Sequence, residues 1–471
     1  MEEVDKKQTI GKIVGVRGQI VIVECEGTRR PQLRELLTSP LDLSVKLEAH
    51  SYRGVHELYC LLLSPRQSIY RHMPIISTGG ELVIPVGLGI LGRVVDLHGT
   101  PQDNLGPLED VELKSIYSST APREMVLDSY SSSTQVGVLE TGIKAIDLFT
   151  PVPKGGKIGL VGGAGVGKTI LMTEIMRNFN SKGGSLSVFA GIGERIREGH
   201  ELWNTLKRSE VLYRTVLILG GMSENAAVRF KIAWAAATIA EYFRDIAKQD
   251  VLFFVDNIFR FVQAGSELST LLEEVPSEFG YQPTLQTEIA QFESRLGSGA
   301  SGVSITSIQT VYVPSDTLTN PSVTATIPHL ASVVILSRDI AHEGRLPAID
   351  VFKSRSSVLD KDFLGKQHYE TVIQATELLN RYDRLSRITA IIGEEELSLE
   401  DQKTYNRAQK ILNYMTQPFY STEQQTGRKG VFVQRATTIQ DVRSILDGKM
   451  DNVPADKFLY IGDLKTAGLL Q

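Results

Sequence analysis

Gly162-Gly163-Ala164-Gly165-Val166-Gly167-Lys168-Thr169, entered from Lys157-Ile158-Gly159-Leu160-Val161 and left through Ile170-Leu171-Met172-Thr173-Glu174-Ile175-Met176, is the stretch that decides the fold. The residues before the octet are short, mostly apolar and preceded by Gly155-Gly156, so they read as a buried strand entering a sharp turn. Those after it have helix-forming composition and no breaker. Strand, glycine loop and helix in this order let successive backbone N–H groups turn inward on a phosphate chain, with the positive end of the helix behind them. Gly163, Ala164, Gly165, Val166, Gly167 and Ile170 then supply the main chain of the cradle. Lys168 neutralises the β- and γ-phosphates, and the Thr169 hydroxyl ligates the metal. ATP, or ADP with phosphate, and Mg²⁺ are the expected ligands; a glycine turn that binds nothing is the alternative, and the flanks argue against it.

Val251-Leu252-Phe253-Phe254-Val255-Asp256 is an apolar run ending in a carboxylate, as expected of a central parallel strand that brings an acid to the carboxyl edge of a sheet. Asp256 would order the metal's water shell. Between the two motifs, Ser185 to Ala190 reads as a further strand, running into Gly191-Ile192-Gly193-Glu194-Arg195-Ile196-Arg197-Glu198-Gly199. Hydrolysis of a phosphoanhydride needs an oriented water and cations facing the transferring phosphoryl group. Glu194 is the candidate base, Arg195 and Arg260 the candidate cations, and Glu198 a further metal-site oxygen. Taken alone, the run from Glu194 to Glu198 is a solvated set of self-paired charges; its position between the octet and Asp256 favours the catalytic reading.

At 471 residues the chain exceeds one core, and about three domains are expected. Hydrophobic residues make up 42%, enough for sizeable cores. A net charge of −5 gives no nucleic-acid footprint and no basic membrane patch. Met1 to Lys7 is charged and lacks a signal peptide's apolar core, and no apolar stretch approaches a bilayer span. Cys25 and Cys60 sit in strand-like contexts and are expected as buried free thiols. The histidines, His98, His329 and His342 among them, show no metal-ligand spacing.

Short β-rich runs punctuated by glycine and proline, such as Gly11 to Glu24, Leu58 to Leu63 and Glu81 to Ile84, predict an N-terminal β-barrel over residues 1–85. Arg29 to Ala49 reads as a variable loop or short helix at its rim. From 86 to 360, strands alternate with helical segments such as Ala226 to Ala247, the pattern of an α/β P-loop (RecA-like) nucleotide-binding domain. Residues 361–471 read as a helical bundle, with helices from Tyr369 to Tyr382 and from Ser398 to Met415.

The octet, Gly193 to Gly199, Val255-Asp256-Asn257-Ile258-Phe259-Arg260-Phe261, Gln263-Ala264-Gly265-Ser266-Glu267, Gly280-Tyr281-Gln282-Pro283-Thr284-Leu285 and Ser304-Ile305-Thr306-Ser307-Ile308-Gln309 resemble the β, catalytic, subunit of F-type ATP synthases. The likeness spans nearly the whole chain. Ile84-Pro85-Val86-Gly87, Leu91-Gly92-Arg93-Val94 and Glu140 to Asp147 carry it towards the N-terminus; Glu395 to Asp401, an acidic lever motif, and Gln417-Pro418-Phe419 carry it towards the C-terminus. The resemblance implies a β subunit alternating with a homologous α subunit in a hexamer around a rotating γ stalk. Rotation would couple ATP synthesis or hydrolysis to H⁺ or Na⁺ movement through a membrane sector, with the complex peripheral at the cytoplasmic face. It implies that Lys168 and Thr169 bind phosphate and Mg²⁺, that Glu194 activates water, that Arg195 and Arg260 lie near the γ-phosphate, and that Tyr312 lines the pocket. It also implies an arginine supplied in trans by the α subunit, on the order of a thousandfold in rate, so the isolated chain should be a poor ATPase.

Departures from the family pattern concentrate on the base. In Gly344-Arg345-Leu346-Pro347-Ala348, Leu346 stands where the family has a tyrosine, and Gln425, before Thr426-Gly427, replaces a second aromatic. Phe419 is the one retained. Each lost stack is worth about 1 kcal/mol or more, which puts base selectivity in question. Asp350 to Ser357 adds Lys353 and Arg355, the loop Val313 to Pro321 keeps a single acid, and Leu399 replaces an acid in the lever motif. A flagellar or type III export ATPase is the second reading, favoured by Pro347-Ala348-Ile349-Asp350-Val351, and a degenerate scaffold the third. An acid at Glu194 argues against the noncatalytic α paralogue, which carries an amide there.

Overall fold

A computed structural model describes residues 9–26, 29–64, 69–118, 137–181, 184–299, 302–314 and 317–470. Met1 to Lys7 and Asp316, the single acid of the loop Val313 to Pro321, lie outside these residues. The chain divides into two compact units, residues 1–122 with 186–303 and residues 123–185 with 304–471.

The first unit opens with a closed barrel of β1 (Thr9–Arg17), β2 (Ile20–Cys25), β3 (Glu35–Ser39), β4 (Asp42–Arg53), β5 (Glu57–Leu62) and β6 (Pro74–Glu81), in the order β1-β2-β5-β4-β3-β6. Antiparallel pairing of β1 with β6 closes it, with Lys12 opposite Pro74. Inward residues of every strand, including Ile13, Val21, Leu37, Leu47, Cys60 and Ile75, fill the interior. Cys25 and Cys60 are buried free thiols there, as their setting predicted. The segment Arg29 to Ala49 is no rim loop: it supplies β3 and most of β4. Its charges hid a period of two, in which Val45, Leu47 and Ala49 turn inward. Pro31 and Pro40 fall outside the strands.

Beyond the barrel, the same unit holds strands Asp250–Asp256, Ser185–Glu194, Thr215–Gly221 and Val94–Val95 in that order. The pairs from Ser187 to Val95 are parallel. Helix Ala226–Asp245, almost wholly buried, covers them as its alanine-rich sequence allows. Sequence placed it two residues longer.

The second unit contains Lys157–Gly162 between Ile305–Tyr312 and Ser332–Ile335, both parallel to it, with Arg355–Ser356 antiparallel at the edge. Parallel strands buried on both faces explain the near-continuous apolar runs. Helices Lys366–Ile392, Leu399–Tyr414 and Arg435–Leu446 follow. The first runs ten residues past its expected end because nothing breaks it before Gly393, whose φ of 88° favours glycine. Ser398 caps the next helix, its hydroxyl accepting from the Asp401 N–H at 3.1 Å.

A fold of barrel, α/β nucleotide-binding domain and helical C-terminal domain is therefore what the residue pattern predicted. Segment Glu140–Asp147 locks the helical part of the second unit. Lys144, fully buried, donates to the carbonyls of Ile461 at 2.8 Å and Gly462 at 3.1 Å, and lies 4.1 Å from the Tyr414 ring centroid. Gln417 accepts from the Lys144 N–H at 3.0 Å and donates to the Gly142 carbonyl at 2.7 Å.

Candidate functional site

The loop in the second unit has the geometry its spacing implied. Strand Lys157–Gly162 ends in it and helix Lys168–Ser181 begins from it. Gly165 and Gly167 have φ of 76° and 91°, conformations an L side chain resists, and a Cβ at either would project into open space. Val166 is buried and pins the loop, whereas Ala164, Gly165, Thr169 and Ile170 are exposed at its mouth. The Lys168 ammonium is folded back, donating to the Gly162 carbonyl at 2.9 Å and to that of Gly163, and it sits 5.6 Å from the Tyr312 ring centroid. A cation held by loop carbonyls beside an exposed threonine is poised for an anion. Arg338, which sequence reading missed, donates to the Ala164 carbonyl at 3.4 Å.

The same unit ties this loop's helix to the remaining pocket candidates. Glu174 is fully buried nearly two turns into the helix, and its carboxylate accepts from the N–H groups of Tyr420 at 3.1 Å and Ser421 at 3.0 Å. Burial raises its pKa, and those two amides oppose the rise. Arg177, one turn on, stacks 3.5 Å from the Tyr420 ring centroid. Phe419, next in sequence, is 6% exposed, and the Gln417 N–H donates to the Leu346 carbonyl at 3.0 Å. Leu346 and Phe419 are thus brought to neighbouring segments; the Leu346 side chain is 46% exposed, and Gln425 lies exposed on the short helix Glu423–Thr426.

In the first unit, Asp256 ends a buried strand, as predicted, and Glu194 ends another that runs four residues past Ala190, where a turn was expected. The Glu194 pKa is raised to about 9, chiefly by burial, then by a hydrogen bond with Glu198 and by the charges of Asp256 and Glu198, while Arg260 lowers it. Those causes bring Glu194, Glu198, Asp256 and Arg260 into one cluster. Gly193, with φ of 64°, lies against Arg260, whose Cβ is 3.4 Å from where a Cβ on that glycine would be. The Arg260 N–H is capped by the Asn257 side chain at 3.0 Å, and its guanidinium donates to Gln263 at 2.9 Å. Arg195 is the outlier. Its side chain is 72% exposed and pairs with Glu198 at 3.6 Å, and Arg197 pairs with Glu201 at 3.1 Å. The self-paired reading of this charge run therefore holds for its arginines but not for Glu194.

Among the described residues, no three His, Cys, Asp or Glu side chains form a cluster able to hold a metal ion by themselves. Mg²⁺ seldom uses such a cage, keeping waters and phosphate oxygens around one or two protein oxygens. The Thr169 hydroxyl and the Asp256 carboxylate are donors of that hard kind.

A glycine loop between a buried parallel strand and a helix defines a P-loop nucleotide-binding protein. Residues 142–356 match the ATP synthase alpha/beta family, nucleotide-binding domain, and residues 357–451 match the C-terminal domain of V and A type ATP synthase. The domain over residues 142–356 thus matches the ATP synthase alpha/beta family, whose members hydrolyse or synthesise ATP and assemble with a homologous subunit in a hexameric ring. The second match names V and A types, where the sequence resemblance pointed to the F type. No helix among the described residues is long and apolar enough to cross a membrane.

Proposed function

We propose that the chain is the catalytic, β-type subunit of a rotary F-type ATP synthase or ATPase, with a barrel to residue 85, a nucleotide-binding domain over 86–360 and a helical domain over 361–471. Glu194 carries this proposal: it is a carboxyl, not an amide, half-buried beside Glu198, Asp256 and Arg260 at a strand end. In this scheme residues Gly163 to Ile170 cradle the phosphates and Lys168 neutralises them. Thr169 and Asp256, with Glu198, serve Mg²⁺, which when bound screens phosphate charge. Glu194 orients the attacking water, and Arg260 and Arg195 face the phosphoryl group, joined by an arginine from the α subunit. Tyr312 lines the pocket beside Lys168, and Leu346, Phe419 and Gln425 line the nucleoside side.

The F-type assignment draws support from the C-terminal hairpin. Glu394, Glu395, Glu396 and Glu400 are exposed at the turn between helices Lys366–Ile392 and Leu399–Tyr414, and Arg381 braces it through Asp401 at 2.7 Å. A projecting acidic tip suits contact with a γ-type stalk, and the complex would lie peripherally at the cytoplasmic face of a membrane, coupled to H⁺ or Na⁺ flow. Glu194→Gln in the assembled complex should leave Mg·ATP binding within a few-fold and cut turnover at least a hundredfold, the scale of a positioned base. Turnover within a few-fold of wild type refutes the role of Glu194. Purification of the native complex separates the machines: an α paralogue with a stalk subunit supports the rotary assignment, and a homohexamer with export components supports the export ATPase.

A further inference from the structure

We propose, resting on the nucleotide function above, that Tyr460 is the aromatic residue that receives the nucleotide's base, in place of the ring missing at Leu346. Leu346 and Gln425 leave the nucleoside side with only Phe419 from its expected rings. The second unit brings another ring to that place from a distant stretch of chain. The Tyr460 hydroxyl donates to the carbonyl of Gly344, two residues before Leu346. Its backbone N–H donates to the Thr416 hydroxyl at 2.7 Å, next to Gln417, the residue that pairs with the Leu346 carbonyl. Anchored at both ends, the ring belongs to the same cluster of segments as Leu346 and Phe419.

Two features mark this ring as built for contact. Tyr460 has φ of 55°, in a region that bulky residues rarely occupy, so the surrounding fold enforces its placement. It also remains partly exposed, and one face already carries a planar cation, the Arg428 guanidinium, 4.0 Å from the ring centroid. Arg428 follows Gln425 by three residues, past Gly427, whose φ of 67° ends the short helix and turns the chain back. Gly430 then packs so tightly on Tyr420 that a Cβ there would lie 2.3 Å from the Tyr420 nitrogen. That nitrogen is held by Glu174 of the P-loop helix. A continuous set of contacts therefore runs from the P-loop helix through Tyr420 and the 427–430 turn to the Arg428–Tyr460 stack. A purine is a planar π-system with the same demand for a ring face as the guanidinium now lying there, and stacking of this kind is worth about 1–3 kcal/mol per base.

The test is calorimetric titration of the full-length chain with Mg·ATP and with Mg·tripolyphosphate, which has the phosphates but no base. Tyr460→Ala should weaken Mg·ATP about tenfold and leave Mg·tripolyphosphate unchanged, the fold-change expected from one lost stack. Tyr460→Phe should retain most of the affinity. Leu346→Tyr placed in the Tyr460→Ala chain should restore it, which no general packing defect would allow. Equal Mg·ATP affinity in wild type and Tyr460→Ala, or parallel losses for both ligands without rescue by Leu346→Tyr, overturns the assignment of Tyr460. Failure of the wild-type chain to bind either ligand overturns the nucleotide function itself, a distinct outcome.

Discussion

The proposed phosphate side and the proposed base side of the second unit are built by different means. The phosphate side is main chain: two glycines at positive φ, a buried valine and a helix terminus fix where the amides point, and Lys168 adds a charge from within the loop. The proposed base side would be made of side chains drawn from four stretches, Gly344–Leu346, Gln417–Phe419, Gln425–Arg428 and Tyr460, held by bonds between positions up to 116 residues apart. A backbone cradle tolerates almost no change in its residues. A wall of side chains can exchange one ring for another, as the replacement of the usual aromatics by Leu346 and Gln425 indicates.

Four measurements break or sharpen that contrast. Lys168→Ala removes the cradle's own charge and should weaken Mg·ATP about a hundredfold in equilibrium titration, at the upper end for charge-assisted hydrogen bonds. An effect under threefold would place the phosphates elsewhere. Glu174→Ala cuts the link between the two sides and leaves the Tyr420 and Ser421 amides unsatisfied in a buried setting. Denaturation should show a loss of about 2 kcal/mol, with Mg·ATP affinity falling less than in Lys168→Ala; full stability would mean that water replaces the carboxylate.

Lys144 offers a test of the helical part that carries the base side. Burial holds its pKa down to about 7 from 10.5, against the opposing charges of Asp441 and Asp463. The folded value is the lower one, so the stability linked to this group is present above pH 10.5 and is lost as pH falls through about 7. The difference in unfolding midpoint between wild type and Lys144→Met should therefore move in favour of wild type between pH 7 and pH 10. A pH-independent difference would mean that the ammonium stays charged when buried. The smallest effect is expected from Leu346→Met, a volume-conserving swap on a half-exposed apolar face, which should change Mg·ATP affinity by less than about twofold.

The contrast also explains what could be read in the residues beforehand. Strand, loop and helix around Gly162–Thr169 were legible because glycine spacing and apolar runs act locally, and so were the strand that ends in Asp256 and the first part of the strand that ends in Glu194, whose last four residues read as a turn because of their glycines. The hydrogen bond between Glu194 and Glu198 was not, because nothing local distinguishes a carboxyl pair from the ion pairs that Arg195 and Arg197 make in the same helix start. Strands β3 and β4 were missed because charged outward positions masked the inward alternation of Val45, Leu47 and Ala49. Tyr460, Arg428 and Arg338 gave no signal at all: each reaches its place through long-range pairing, and no spacing rule reports that Tyr460 meets Gly344.

The most direct measurement of the central claim, that the main chain of Gly162–Thr169 grips a triphosphate, is titration of Mg·tripolyphosphate into the full-length chain beside Gly167→Val. One saturable site per chain in wild type, abolished in a folded Gly167→Val chain because the left-handed φ of 91° is denied to valine, is the predicted result. Undiminished binding in Gly167→Val would contradict it.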